Sequence, residues 1–600
     1  GEGIVVTLNQ RSHRTRTGPD GRWRVTLPAL PAGGPHTLTI EGRNRIQLED
    51  VLIGDVWLAS GQSNMEWPLN ARNLKYGPDI DSAHVPNLRL FTVPNAFALS
   101  PGSDLEAGSW KRCSPETAAT FSAVAFFFGR ELHRRYGVPV GLILSAWGGT
   151  PAEAWTSGEA LKSLPDFQPV VAQLEGHRGT LAQVTDDYPG HLRQWQSRFS
   201  GRVVDPGDSG VDWGKTMNLP GRWEDTGALP DFDGIVWFGK EITLSAEEAE
   251  KPLTLHLARI DDADSTWFNG VNLGGTSGYD RLRVYEVPGA LVKPGKNAIR
   301  VRVLDLNGGG GIWGEPDQFY CQTGERKSPL SGAWQYRIGL DTQTLDLPRA
   351  PVRIFNQNAP TALFNGMIRP LVPYAIRGVI WYQGENNAER AAQYRTLFPA
   401  LIQDWRRQWG YGFPFLYVQL AAFRRDPEQP TESEWAELRE AQTRALSLPG
   451  TAQVVTTDVG DPDDIHPAHK AEVGRRLALA ARRVAYGENV VHAGPRVASV
   501  QVAEGEIRLT FTDVGSGLRA ADRYGYLRGF ALAGEDRRFV WATARLEDNQ
   551  VVVRSEAVRQ PVAVRYNWAN SPDGNLFNRE GLPALPFRSD DWPGLTVGRK

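Results

Sequence analysis

The sequence predicts an α/β domain interrupted by an all-β insertion and followed by a β-sandwich. Three observations carry that prediction. Continuous apolar runs that end in polar, glycine-containing loops alternate with amphipathic helical patterns, the signature of buried parallel strands and crossover helices. Between two such stretches, from about Asp205 to Gln322, helical periodicity fades and short strands are separated by Gly, Pro and Asn turns. At 600 residues the chain also exceeds what one core supports, since cores stop growing near ~250–300 residues. The expected divisions are a β segment at 1–50, an α/β domain at 51–204 and 336–494, an inserted β-sandwich at 205–335, and a terminal β-sandwich at 495–600.

The elements follow in order. Ile4–Leu8 alternates, Gly18–Gly21 is a turn, and Trp23–Leu27 and His36–Ile40 read as strands. Val51–Ser60 is an apolar strand running into Gly61-Gln62-Ser63-Asn64. Phe121–Tyr136 has helical spacing, and Val138–Ser145 reads as a buried strand ending in Trp147-Gly148-Gly149-Thr150. The insertion contributes strands at Val236–Leu244, Leu253–Leu257 and Ala298–Leu304. Strand Gly378–Tyr382 then leads into Gln383-Gly384-Glu385, and helix Ala391–Trp409, strand Pro414–Leu420 and helix Glu434–Ser447 follow. Strand Thr451–Thr457 precedes Asp458–His466, and Ala468–Tyr486 is a long helix. Strands at Glu506–Phe511, Gln550–Arg554 and Val562–Trp568 complete the chain.

Composition excludes several classes. Lys+Arg of 66 against Asp+Glu of 69 leaves no global pull toward nucleic acid or anionic membrane. No apolar run approaches the ~18–20 residues needed to cross a bilayer. Two cysteines, Cys113 and Cys321, supply neither a disulfide framework nor a cysteine zinc site. The count of 20 Trp suits β-rich domains and surfaces on which sugar rings stack.

In open α/β sheets, reactive groups gather at the carboxyl ends of parallel strands. Three such ends carry unusual polar residues: Ser63, Gly148-Gly149 and Gln383-Gly384-Glu385. A fourth carries Asp463, Asp464 and His466. A serine at a strand-to-helix turn exposes its Oγ but needs a positioned base. Of the ten histidines, His466 alone combines a strand end with two adjacent carboxylates, one of which can fix its tautomer; His469 is the nearest rival. Gly61-Gln62-Ser63-Asn64-Met65 is not the G-x-S-x-G elbow, which disfavours an ordinary α/β-hydrolase.

Gly61–Met65, Trp147–Thr150, Trp381–Asn387 (WYQGENN) and Asp464-Ile465-His466-Pro467 together resemble the conserved blocks of the sialate O-acetylesterase family of SGNH-type carbohydrate esterases. In the insertion, Arg259–Gly270 and Gly308–Gly314 look like galactose-binding-like segments of bacterial members. The resemblance implies an SGNH three-layer α/β/α hydrolase domain with a jelly-roll insertion, and removal of O-acetyl groups from sugars without metal or cofactor. It also implies Ser63 as nucleophile, His466 as general base and acid, and an oxyanion hole of the Ser63 N–H, the Gly149 N–H and the Gln383 amide. Asp464 or Asp463 would orient the imidazole, with Glu385 a third candidate or a brace for the loop near Ser63. Gln62 is a supporting residue, and Trp313 is expected to reach a sugar cleft.

The expected partner is an acetylated carbohydrate, either a plant oligosaccharide of the xyloglucan, xylan or mannan type or an O-acetyl sialic acid. Nucleic acid and membrane are not expected partners, and the substrate class points to a periplasmic or secreted location. Two other classes stay open. A silent carbohydrate-binding protein on the same scaffold would turn over no acetyl ester. A glycoside hydrolase needs two carboxylates across the scissile bond; Glu385 and Asp463 or Asp464 supply candidates, and the GQSNM block disfavours it.

Overall fold

A computed structural model describes residues 1–176, 213, 215–229, 232–278, 281–305, 309–341 and 356–600. The chain forms two compact units, one of residues 1–178 with 355–600 and one of residues 179–354.

The first unit is built on a seven-stranded sheet. Its strands in chain order are β1 (Asp55–Gly61), β2 (Val85–Thr92), β3 (Lys111–Cys113), β4 (Val140–Ala146), β5 (Gly378–Tyr382), β6 (Phe415–Val418) and β7 (Thr451–Val454). They lie in the order β7-β6-β5-β1-β4-β2-β3, all parallel except the edge strand β3. Alternation along β5 shows how the layers form. Val379 and Trp381 enter a core with helices α3 (Ala391–Trp409) and α4 (Glu434–Arg444), through Leu397, Phe398, Trp405 and Leu438. Ile380 and Tyr382 enter a second core with α2 (Ala123–Tyr136) and α5 (Lys470–Val484), through Val124, Phe128, Val473 and Leu477. Helices therefore cover both faces, as a buried parallel sheet requires. A one-turn helix, α1 (Ser63–Glu66), follows β1 directly.

Because β1, β4 and β5 are parallel neighbours, with Gly61 level with Tyr382 on one side and Ala146 on the other, their carboxyl ends open at the same edge. Gly61 permits the close fit there. Its φ is +138°, and an added Cβ would lie 2.1 Å from the Tyr382 carbonyl oxygen.

Several expectations need correction. Val51–Ser60 is not one strand: Val51–Ile53 ends an antiparallel strand, Arg45–Ile53, of a four-stranded N-terminal sheet, and β1 begins at Asp55. A boundary at 50 would cut that strand. The break falls at Gly54, where a Cβ would meet the Pro139 carbonyl oxygen at 2.1 Å. Trp23–Leu27 is irregular, with Trp23 exposed at the surface and no partner strand alongside.

The second unit comprises two six-stranded sheets with antiparallel pairings, which share a core including Val236, Phe238, Leu255, Leu257, Val301 and Trp334. A boundary at 335 would fall inside its strand Gly332–Asp341. The expected start at 205 lies outside the described residues. Residues 496–588 form further antiparallel sheets around Ile507, Leu509, Leu532, Val551 and Val564. Cys113 and Cys321 are both free and buried.

Candidate active site

The ends of β1, β4 and β5 bring Ser63, Gly149 and the Gln383–Glu385 loop together, and the loop after β7 carries His466 back to them. Nε2 of His466 lies 2.9 Å from Ser63 Oγ, a hydrogen-bonding distance across 403 residues of chain. Ser63 sits at the first position of α1, with its N–H at the helix start. Among the described residues, neither the Ser63 N–H nor the Gly149 N–H donates to a protein acceptor. A hydroxyl, a base and two unspent donors at one strand edge are the parts that acyl transfer requires.

The imidazole is held chiefly by packing. The Trp67 indole stacks on it with ring centroids 3.9 Å apart and planes within 8°. Asn73 accepts from Trp67 Nε1 at 2.9 Å and donates to the His466 carbonyl at 2.7 Å and to Asp464 Oδ2 at 3.0 Å. Asp464 Oδ1 accepts the His466 backbone N–H at 2.8 Å but lies 3.8 Å from Nδ1, beyond hydrogen-bond reach. It acts on the ring through charge at this separation. Burial pushes the His466 imidazole down to about 4; the charge of Lys470 adds to that shift and Asp464 opposes it.

Asp463 does not take the orienting position. Both its carboxylate oxygens are engaged by the Arg425 guanidinium at the surface. Adjacent residues in this loop point in different directions, so spacing from His466 could not choose between them.

Gln383 also departs from expectation. Its side chain is completely buried. Nε2 donates to the Thr150 carbonyl at 3.2 Å and to Asn387 Oδ1 at 2.6 Å, while Oε1 accepts from the Tyr394 hydroxyl at 3.0 Å. Both amide hydrogens are spent, so one of those bonds would have to break before Gln383 could face an oxyanion. Here it pins the β5 loop to the β4 loop. Asn387 extends the tie to the Ala152 N–H at 2.9 Å and to Glu153 at 3.0 Å. Gln62 is buried, and its Oε1 accepts weakly from Gly384 and Asn386, both at 3.4 Å.

Glu385 braces the site from behind. Its Oε1 accepts from Asn64 Nδ2 at 2.6 Å, and the same amide donates to the Ile465 carbonyl at 2.9 Å. Asn64 Oδ1 accepts from Lys470 Nζ. One amide beside Ser63 thus ties the β1, β5 and β7 loops together. Burial raises the Glu385 carboxyl and draws the Lys470 ammonium down to about 7, with Glu385 and Asp464 opposing the latter shift.

A family model described as carbohydrate esterase, sialic acid-specific acetylesterase matches residues 354–483, the stretch holding Gln383, Glu385 and His466. The sialate O-acetylesterase of Rattus norvegicus is 25% identical over 82% of this chain and 70% of its own length. That of Homo sapiens is 24% identical over 95% of this chain and 83% of its own. The crystal structure of a carbohydrate acetylesterase from Xanthomonas citri is 30% identical, covering 98% of this chain and 93% of that one, with a TM-score of 0.64. The chain belongs to the sialate O-acetylesterase family. It is therefore a carboxylic ester hydrolase.

Membership leaves several supporting residues to the structure. Trp67, Asn73, Asn64, Asn387 and Lys470 all escaped the reading of the sequence. Asn64 lies inside the GQSNM block and Asn387 inside WYQGENN, so position in a motif was the available signal; Trp67 and Asn73 carried none.

Trp313 belongs to the second unit. Arg222 and Arg259 guanidinium groups lie 5.0 and 5.5 Å from its ring centroid, and its strand pairs with Leu253–Asp261. Gly308, at the start of its loop, lies outside the described residues. Within the described helices, none is long and apolar enough to cross a membrane.

Proposed function

We propose that the protein is an O-acetylesterase of acetylated sugars working through an acetyl-enzyme on Ser63. The observation that carries this reading is the 2.9 Å approach of His466 Nε2 to Ser63 Oγ. Ser63 Oγ attacks the acetyl carbonyl as its proton passes to His466. The carbonyl oxygen becomes an oxyanion facing the N–H groups of Ser63 and Gly149. Collapse breaks the ester bond, and the departing sugar oxygen takes the proton back from His466. Water, deprotonated by the same imidazole, attacks the acetyl carbonyl; the Ser63 Oγ–acyl bond breaks, acetate leaves and Oγ takes the proton back from His466.

Preorganised donors of this kind are each worth about 3 kcal/mol in the transition state. Asp464 contributes its charge to the imidazolium, and Trp67 fixes the ring plane. The depressed imidazole stays neutral, and so able to accept a proton, well into acid. The seven-stranded sheet is, on this reading, an SGNH core, with the all-β unit a galactose-binding-like jelly roll inserted into it.

The preferred substrates are acetylated plant oligosaccharides, with O-acetyl sialic acid the second, and a polymeric substrate of that kind implies export. Trp313 is assigned to sugar contact; loss of affinity for long chains in Trp313→Ala, with small-ester turnover intact, supports it. Acetate release measured side by side from acetylated xyloglucan, xylan and mannan oligosaccharides and from O-acetyl sialic acid tests the whole assignment. Ser63→Ala should lower kcat roughly 10⁶-fold. Retained turnover in that variant overturns the mechanism, and faster release from sialic acid overturns the substrate order.

The glycoside hydrolase alternative loses support because Glu385 is turned inward onto Asn64 and Asp463 is spent on Arg425.

A further inference from the structure

A second cleft lies in the first unit, between the loop after β6 and the C-terminal β module, with a volume of about 410 Å³. Its deep part is Arg565, whose guanidinium lies 4.0 Å from the Phe539 ring centroid and 5.0 Å from that of Trp568. Arg565 is neutralised by Asp590 at 2.8 Å and Glu432 at 2.8 Å. Glu432 also accepts from Trp568 Nε1 at 3.3 Å. The deep part is thus held by ion pairs, two carboxylates on one guanidinium, and offers no free positive charge.

The rim is different. Trp541 is 44% exposed although its N–H is already spent on the Glu428 carbonyl at 2.8 Å. What faces solvent is therefore mainly ring. Arg537 and Arg538 are both exposed lining residues. Arg537 lies over the Trp592 ring, 5.3 Å from its centroid, and among the described residues Arg538 shows no ion pair. The nearest acidic neighbour in sequence, Asp536, spends Oδ1 on the Arg538 backbone N–H at 3.1 Å. A half-exposed indole beside the uncommitted Arg538 guanidinium offers a pyranose face a platform and a carboxylate a partner.

The loop that forms one wall also reaches the site. The Asp461 N–H donates to Ala422 and the Arg424 N–H donates to Pro462, at 3.1 and 3.0 Å, and Arg425 pairs with Asp463 beside Asp464. Pro430, a cleft residue, is five residues beyond Arg425, a span of at most about 18 Å. Oligosaccharides cover that Arg425-to-Pro430 leg with a few residues.

We propose that this cleft is an accessory subsite for a carboxylate-bearing pyranose of the substrate chain, a uronic or sialic acid, with Trp541 the stacking platform and Arg538 the carboxylate partner. The identity of the ligand rests on the esterase reading above; the existence of the subsite does not.

The test is calorimetric titration of full-length Ser63→Ala protein with glucuronoxylan oligosaccharides, matched neutral xylooligosaccharides and sialyllactose. Acidic chains should bind at least about tenfold tighter than neutral ones. Adding Trp541→Ala or Arg538→Ala should each weaken that binding about tenfold, since each removes a stacking or charge-assisted contact. The glucuronoxylan and sialyllactose arms distinguish the two acid sources. In the otherwise wild-type enzyme, both substitutions should leave turnover of a small acetyl ester unchanged. Equal binding of neutral and acidic chains, no binding of either acidic probe, or undiminished binding in Arg538→Ala (an exposed residue whose loss leaves the fold intact) overturns the proposal. Absence of small-ester turnover in the wild-type protein would overturn the esterase reading while leaving the binding result to stand.

Discussion

The two halves of the site are held in different ways. On the β4–β5 side, Gln383, Asn387, Thr150, Glu153 and Tyr394 form a buried network in which every Gln383 side-chain donor and acceptor is used. On the β7 side, the imidazole rests on a stacked indole, with its acid 3.8 Å away and its loop partly exposed. The first half has been fixed in advance, at the cost of burying amides that must all be paired. The second retains room to tighten when substrate arrives, as catalytic hydrogen bonds often do. On the proposed mechanism, the acyl-oxygen side is held by paired amides and the imidazole by stacking and a longer charge contact.

Substitutions can break or sharpen that contrast. The largest effect is expected on the rigid side. Gln383→Ala takes their Gln383 partner from the Thr150 carbonyl and the Tyr394 hydroxyl, while Asn387 keeps the Ala152 N–H and Glu153, and each orphaned buried group costs about 1–3 kcal/mol. Chemical denaturation should show a stability loss of that order, together with a fall in kcat. A variant as stable as wild type, with kcat alone reduced, would instead return Gln383 to the oxyanion hole.

On the adjustable side, Asp464→Asn should lower kcat/KM by about 10–100-fold. That is well short of the ~10⁴ seen where the acid bonds the ring directly. A loss near the larger figure would show that Asp464 closes onto Nδ1 during turnover.

The pH profile reads the same half more finely. On the proposed mechanism His466 acts as a neutral base, so kcat/KM should rise as pH climbs through about 4 and then level off. Its ring faces Lys470, which lowers its affinity for protons, and Asp464, which raises it; the Trp67 face carries no charge. Lys470→Met should therefore move the acid limb upward, toward the ordinary 6.5, and Asp464→Asn should move it down. A limb that stays in place in both variants would leave desolvation as the sole cause.

The smallest effect belongs to Asp463→Ala, expected within about twofold of wild type in kcat/KM, because exposed ion pairs contribute little. A loss matching that of Asp464→Asn would put the wrong carboxylate beside the ring.

Most of the layered architecture was legible along the chain. Gly378–Tyr382 and Ala391–Trp409 coincide with the expected strand and helix, because an all-apolar run and a 3.6-residue stripe admit few other outcomes. Elements lacking a strong period were misread. Arg45–Ile53 begins with mostly polar residues, and Trp23–Leu27 has strand-forming residues but no partner strand.

The sequence by itself determined the parallel-strand ends, the four motif blocks and hence the Ser63 and His466 pair. These follow from local apolar runs and from residue types that only certain chemistry needs. Tertiary structure alone decided which acid faces the ring, that Gln383 is saturated, and that Trp67 and Lys470 flank and back the imidazole. Those outcomes depend on loops from distant strands competing for the same few donors, and no window of neighbouring residues contains both competitors.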